Sequence, residues 1–79
     1  MKGSHSLDEV DRKILDIISH FGSLTSLDLW DEIGEDATLA AQIMSKEEAL
    51  RRLELLMAQG YVERVKDSKG ITQWALKEQ

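Results

Sequence analysis

The segment SKEEALRRLELLMAQGYV, residues 45–62, carries the side chains with the most specific binding chemistry in this chain. Lys46, Arg51 and Arg52 are cations within a stretch whose apolar residues have helical spacing. A guanidinium on a helix surface can donate two parallel hydrogen bonds to a guanine base or to a phosphate. Charges also keep the outer side of an ordinary core helix solvated. The segment therefore leaves two alternatives, a helix that reads DNA and a core helix with a charged flank.

A second group of cations lies near the C-terminus. Residues 61–65, YVERV, and 71–76, ITQWAL, are rich in β-branched and aromatic residues, and KDSKG separates them. Two such segments joined by a glycine-containing loop predict a β-hairpin. Arg64, Lys66 and Lys69 would lie near its tip, where they can contact phosphates or the minor groove. Solvation of an ordinary polar loop is the alternative.

The first element that must support these cations is a helix over residues 7–21, LDEVDRKILDIISHF. Ser6 is the predicted N-cap, and Gly22 is the predicted C-terminal stop. Apolar residues at three- and four-residue steps indicate one buried helical face. These residues are Leu7, Val10, Ile14, Ile17, Ile18 and Phe21.

A second helix is predicted after a short bridging strand at residues 23–25. Thr25 or Ser26 caps it, Gly34 ends it, and its buried face is predicted to comprise Leu27, Trp30 and Ile33.

Residues 35–44, EDATLAAQIM, predict one or two extra helical turns before the next helix. Leu39, Ile43 and Met44 would pack on the body of the domain, or, if exposed together, would form a partner surface.

The helix that carries the first group of cations is predicted over residues 45–59. Ser45 and Glu48 have capping-box spacing, in which each side chain accepts a hydrogen bond from the other residue's backbone amide. Gly60 ends the helix. The predicted buried stripe comprises Ala49, Leu50, Leu53, Leu56 and Met57.

The order helix, strand, helix, helix, strand, strand predicts an α+β, mainly α fold. We interpret it as a three-helix winged helix-turn-helix over residues 7–76, with a two-stranded wing at 61–76. Thr72, Trp74 and Leu76 would share one face of the last strand. Residues 1–6 are predicted to be a disordered tail or tag remnant, and 77–79 a tail.

Two segments also resemble a known family. LDEVDRKILDII, residues 7–18, resembles the first helix of Lrp/AsnC-type regulators, and residues 45–62 resemble their recognition helix. In that family a serine begins this helix and paired basic residues lie in its middle, as Ser45, Arg51 and Arg52 do here. The hairpin resembles the wing of MarR-type proteins. The chain departs from the Lrp/AsnC pattern between Gly34 and Ser45, where roughly nine residues are inserted. The resemblance implies a DNA-binding winged helix.

The charge distribution favours different partners for the two halves of the chain. Residues 45–70 hold six basic and five acidic residues, whereas residues 7–44 hold two basic and nine acidic ones. The whole chain has a formal charge of −5. Because phosphate neutralisation supplies most non-specific DNA affinity, we expect a weak monomeric binder. Specific binding then predicts a homodimer with the acidic half turned away from DNA.

Catalytic and metal-binding chemistry find little support in the sequence. The chain has no cysteine and two histidines, His5 and His20, and it lacks a glycine-rich phosphate loop. His20 is better placed to interact with the C-terminal dipole of the first helix than to bind a metal. No apolar stretch approaches the ~18 residues needed to span a bilayer. We therefore predict no enzyme, no cofactor, no metal site and no membrane contact.

The sequence thus predicts a sequence-specific regulator of transcription that binds double-stranded DNA, in the cytoplasm and associated with the nucleoid. The alternative is an acidic winged-helix module that binds a basic protein through its acidic first half, within a larger nucleic-acid-processing assembly. The predicted DNA-binding residues are Ser45, Lys46, Glu47, Arg51, Arg52, Arg64, Lys66 and Lys69.

Overall fold

A computed structural model describes residues 7–77 of the chain. The predicted tail at 1–6, with the predicted cap Ser6, and residues 78–79 lie outside the described residues. The fold is α+β and mainly helical, as predicted. Its elements are α1 (Glu9–Phe21), β1 (Ser23–Leu24), α2 (Ser26–Gly34), α3 (Ala37–Gln42), α4 (Lys46–Ala58), β2 (Val62–Lys66) and β3 (Thr72–Leu76).

Each of the four helices begins at a side chain that accepts a hydrogen bond from a free amide of the first turn. The N-cap of α1 is Asp8, whose Oδ1 accepts from the backbone N–H of Asp11 at 2.8 Å, so the prediction of Ser6 as cap was wrong. The remaining caps are Thr25, Asp36 and Ser45.

The predicted capping box at α4 is only half formed. Ser45 Oγ accepts from the backbone N–H of Glu48 at 3.1 Å, as expected. The Glu48 carboxylate instead accepts from the backbone N–H of Met44 at 3.3 Å. The amide that precedes the cap, rather than the amide of the cap itself, is therefore satisfied.

The predicted helical turns between the second and third main helices exist as α3. Leu39 and Ile43 are buried, whereas Met44 is 76% exposed. The alternative that all three residues form an exposed partner surface is therefore wrong, because two of them belong to the core.

The observed core differs from the predicted buried faces in α2, in α4 and at the end of α1. In α2 the buried side chains are Leu29 and Ile33, and Leu27 is 60% exposed. Helix α2 packs against α1, α3 and α4, and this packing places Leu29 rather than Leu27 in the core. In α4 Leu50 is 38% exposed, and Phe21 at the end of α1 is also exposed. The fully assembled core comprises Val10, Ile14, Ile18, Leu24, Leu29, Ile33, Leu39, Ile43, Ala49, Leu53, Leu56, Val62 and Trp74.

The three strands form one antiparallel sheet in the order β1-β3-β2. Trp74 in the central strand β3 is opposite Leu24 of β1 and Arg64 of β2. The predicted hairpin is therefore confirmed, and it is joined to the helical layer through β1. Alternation along β3 places Thr72 and Leu76 on the same face as Trp74, but of the three only Trp74 is buried.

Candidate nucleic-acid interface

Helix α4 has one side in the core and one side in solvent. Ala49, Leu53 and Leu56 are buried, and the positions about half a turn away are exposed. We call this exposed side the outer face of α4. Its residues are Glu47, Leu50, Arg51, Glu54, Leu55 and Ala58.

The two adjacent arginines of α4 have different environments. Arg52 Nη1 lies 3.0 Å from Asp8 Oδ2 and 3.1 Å from Asp11 Oδ1, so its guanidinium joins α4 to the start of α1. Arg51 is exposed and makes no ion pair with another residue of the range 7–77. Of the two, only Arg51 presents a guanidinium that is not already engaged within the described part of the chain.

Protonation equilibria favour the ion pair at Arg52. The pKa of Asp8 is lowered, first by the hydrogen bond from the Asp11 backbone N–H and then by Arg52, against the opposing effect of partial burial. Partial burial lowers the pKa of Arg52, but hydrogen bonds to Asp8 and Asp11 outweigh it and raise that pKa overall. At neutral pH Asp8 and Arg52 are therefore both charged, and their contact between α1 and α4 is maintained.

The start of α4 lies beside the start of α2. Ser26, Leu27, Lys46, Glu47 and Leu50 line a small open cleft of about 120 Å³ between these two first turns. Lys46 and Glu47 are exposed there, whereas Ser45 is half-buried as the cap of α4. Two helix N-termini with their partial positive charges therefore lie close to Lys46.

The loop of the hairpin is held by a single carboxylate. Asp67 Oδ1 accepts from the backbone N–H groups of Lys69 at 2.8 Å and of Ile71 at 3.0 Å. Gly70 adopts a φ of +79°, which a side chain would strain. The pKa of Asp67 is lowered, first by the Ile71 amide and then by the Lys69 amide. The loop that carries Lys69 is therefore a defined turn.

A chain of side-chain hydrogen bonds connects this loop to β1. Asp67 Oδ2 accepts from Gln73 Nε2 at 3.0 Å, and Gln73 Oε1 accepts from Ser23 Oγ at 2.8 Å. The hairpin tip is thus linked across the sheet to β1. Lys66 and Lys69 are exposed beside it and make no ion pair within residues 7–77.

Arg64 has a packing role as well as a charge. Its guanidinium carbon lies 5.8 Å from the centroid of the Trp74 ring, in a cation–π contact. Arg64 remains exposed, so the charge stays at the surface while the side chain covers the indole.

The predicted site residues therefore fall into three groups. Lys46, Glu47 and Arg51 lie exposed on α4, and Arg64, Lys66 and Lys69 lie exposed on the hairpin, which follows α4 directly and packs against it through β2. Ser45 and Arg52 are engaged within the chain, as the cap of α4 and as the ion-pair partner of α1.

Sequence reasoning missed the apolar part of this surface. Leu27, Leu50 and Leu55 are exposed among the cations of α4, with Leu55 at 55%. The sequence indicated that Leu55 is exposed, since this residue falls outside the predicted buried stripe. It did not indicate that Leu27 and Leu50 are exposed, since their spacing also fits a buried face.

Within residues 7–77, no group of three or more His, Cys, Asp or Glu side chains could hold a metal ion. Over the same residues, none of the helices has the length and apolar character needed to cross a membrane. A scan against protein-family models and a search of curated proteins found no match to this chain.

Proposed function

We propose that this chain is a winged-helix domain that binds double-stranded DNA as a regulator of transcription. Support comes from the strand order β1-β3-β2, from the helix α4 placed directly before the hairpin, and from the fixed turn at the hairpin tip. In a winged helix, the helix before the hairpin enters the major groove and the wing lies on the backbone or in the minor groove. Such a regulator acts in the cytoplasm, on the nucleoid.

The observation that carries the proposal is that five exposed cations without an ion pair lie on α4 and the hairpin, whereas Arg12 and Lys77 are the exposed unpaired cations elsewhere in residues 7–77. Lys13 and Arg52 are paired with carboxylates, at 3.3 Å for Lys13 and Asp36. By contrast, the five exposed cations of α4 and the hairpin form no ion pair with any residue from 7 to 77. They are Lys46, Arg51, Arg64, Lys66 and Lys69. These cations can replace the counterions of a phosphate backbone without first breaking an internal pair.

In this proposal Arg51 contacts a guanine edge or a phosphate, with about 1–3 kcal/mol of discrimination for a two-bond contact to guanine. Arg52 and Ser45 set the position of α4 and do not reach the duplex. Glu47 lies beside Lys46 and repels phosphates, so affinity is lower than the number of cations alone implies.

The test is fluorescence anisotropy of a labelled mixed-sequence duplex at about 50 and about 200 mM salt. Five phosphate contacts predict a loss of affinity on the order of 10²-fold between these two conditions. The variant Lys66→Ala with Lys69→Ala reduces the slope of log affinity against log salt by about 2. The variant Arg12→Ala with Lys77→Ala is the matched control, because it removes the same charge from exposed positions outside the five-cation set.

Two results count against the proposal. Absence of binding at the lower salt excludes phosphate contacts of this strength. An equal reduction of the slope by both double variants indicates attraction by net charge alone, with no role for the hairpin.

A second candidate function, a protein-interaction module, is favoured by the outer face of α4. Leu50 and Leu55 are exposed there, and the two carboxylates of Glu47 and Glu54 outnumber the one guanidinium of Arg51. Exposed apolar residues rimmed by charges are typical of a protein contact. The nine acidic and two basic residues of 7–44 favour a basic partner. This candidate predicts no duplex binding at low salt and a stable complex with a basic protein.

A further inference from the structure

We infer that the outer face of α4 is self-complementary and pairs, antiparallel, with the outer face of α4 in a second copy of the chain. This inference does not require that the chain binds DNA. The contact uses Arg51, which the proposed function assigns to DNA, so a chain paired in this way does not present that side of α4 to a duplex. It is a different arrangement from the homodimer predicted from the sequence, in which α4 is free to contact DNA.

The outer face has a charged central line with an exposed leucine on each flank. Leu50 is 38% exposed and Leu55 is 55% exposed, and they flank a central line formed by Glu47, Arg51, Glu54 and Ala58. One open groove runs along each side of this line. The first is lined by Ser26, Leu27, Lys46, Glu47 and Leu50, and the second by Glu47, Glu48, Arg51, Arg52 and Leu55. The face therefore stands as a ridge between two depressions.

The charges on this ridge select the orientation of a second copy. Arg51 and Glu54 are exposed, and neither forms an ion pair with another residue of 7–77. A two-fold axis placed midway between them brings Arg51 of each copy opposite Glu54 of the other, so two opposite-charge pairs form at once. A parallel pairing in the same register instead places each residue opposite its own copy, with repulsion at both positions.

The same register is compatible with the remaining positions of the ridge. Leu50 lies at the height of the partner copy's Leu55, Glu47 at the height of its Ala58, and Lys46 at the height of its Gln59. No pair of like charges is opposed along the helix. The leucines of both copies therefore enclose the two ion pairs, which reduces their exposure to solvent.

The contact is small for a protein–protein interface. Helix α4 has 13 residues and is about 20 Å long. A contact of that length is smaller than a standard interface of roughly 800 Å² per partner. We therefore expect a reversible dimer with a dissociation constant on the order of 10–100 µM.

The test is sedimentation equilibrium of the whole chain over concentrations that span this range, with four variants. Arg51→Glu and Glu54→Arg each place like charges opposite one another, and their combination restores both pairs with the signs exchanged. Arg12→Glu is the control, because it makes the same charge change at an exposed position of α1. Circular dichroism establishes that each variant is folded.

The expected result is a concentration-dependent rise in average mass, from one chain toward two, for the wild type and for Arg12→Glu. Each single variant at α4 raises the dissociation constant at least tenfold, whereas the double variant returns it to within about threefold of the wild type. An equimolar mixture of the two single variants also associates, because their ridges carry opposite net charges.

Two results overturn the inference. A wild type that stays monomeric across the range excludes the contact. A dimer that is unchanged in Arg51→Glu and in Glu54→Arg places the interface elsewhere, and this outcome covers association through the acidic residues of α1 and α2. Neither result bears on duplex binding, which anisotropy measures separately at nanomolar labelled DNA and low protein concentration.

Discussion

Arg51 and Arg52 are adjacent in sequence, but they lie on different sides of α4 and have different contacts. On the side toward α1, Arg52 is held by Asp8 and Asp11, whose carboxylates lie 44 and 41 positions earlier in the chain. On the outer face, Arg51 has no such partner in the described residues. The two side chains leave the helix about 100° apart, and this angle separates a structural ion pair from an available cation.

This difference shows that a pair of basic residues is not a functional unit by itself. Asp8 serves α1 twice, as its N-cap and as the partner of Arg52, and Asp36 does the same for α3 with Lys13. Both carboxylates therefore couple the start of one helix to a cation of another. Among the cations outside this arrangement, those of α4 and the hairpin are the ones that the proposed function assigns to a binding partner.

The largest expected difference is in the free energy of unfolding, between a substitution on the core side of α4 and one on its outer face. Leu53→Ala leaves a cavity in the core and destabilises the fold by about 2–5 kcal/mol. Leu55→Ala changes stability by no more than about 0.5 kcal/mol, because the side chain is 55% exposed. Urea denaturation followed by circular dichroism measures both values. A cost at Leu55 equal to that at Leu53 would show that the outer face is packed within one chain.

A smaller effect separates the two arginines. Arg52→Ala removes both ion pairs to α1 and lowers the free energy of unfolding by about 1 kcal/mol, a value limited by the solvent exposure of Asp8. Arg51→Ala leaves that free energy unchanged within about 0.5 kcal/mol. The same denaturation experiment on monomeric protein compares them, and equal losses would remove the distinction on which the proposed function depends.

The smallest expected effect concerns pH. The pKa of Asp8 is lower in the folded chain than its ordinary value, so the unfolded chain binds more protons in acid. Its contribution is complete above the unfolded pKa of about 3.9 and is lost as the pH falls through the folded value.

The variant Asp8→Asn isolates this charge, since asparagine is also a good N-cap. We expect it to be less stable than the wild type at pH 7, by under about 1 kcal/mol, and this difference to disappear as the pH falls through the folded pKa of Asp8. Glu9→Gln, which removes the same charge at a neighbouring exposed position, should show a smaller pH-dependent difference. If both variants respond identically, the ion pair with Arg52 has no role in acid stability.

The order of the elements was predictable because the signals for it are local. Caps and glycines mark the ends of helices, and Gly22, Gly34 and Gly60 lie at or just beyond the helix ends that they predicted. The hairpin followed from β-branched residues on both sides of a polar loop, and α3 from helical spacing after Asp36.

The predicted faces failed where packing partners come from distant parts of the chain. Spacing alone allows Leu27 or Leu29 to face the core, and the packing of α2 against α1, α3 and α4 selects Leu29. Leu50 lies next to Ala49 and fits the same stripe, but Ala49 is buried whereas Leu50 is 38% exposed. The ion pairs of Arg52 also could not be predicted from the sequence, because they depend on where the first turn of α1 lies relative to α4.

Anisotropy of one labelled duplex at about 50 mM salt, with Arg51→Ala and Arg52→Ala compared, decides whether the exposed arginine of α4 contacts DNA. Both variants lose one positive charge, so a difference between them reports position rather than net charge. We expect Arg51→Ala to bind at least fivefold more weakly than the wild type and Arg52→Ala to stay within about twofold, provided that it is folded. Equal affinities of the two variants, or no binding by the wild type, would contradict the proposal that Arg51 contacts DNA and Arg52 does not.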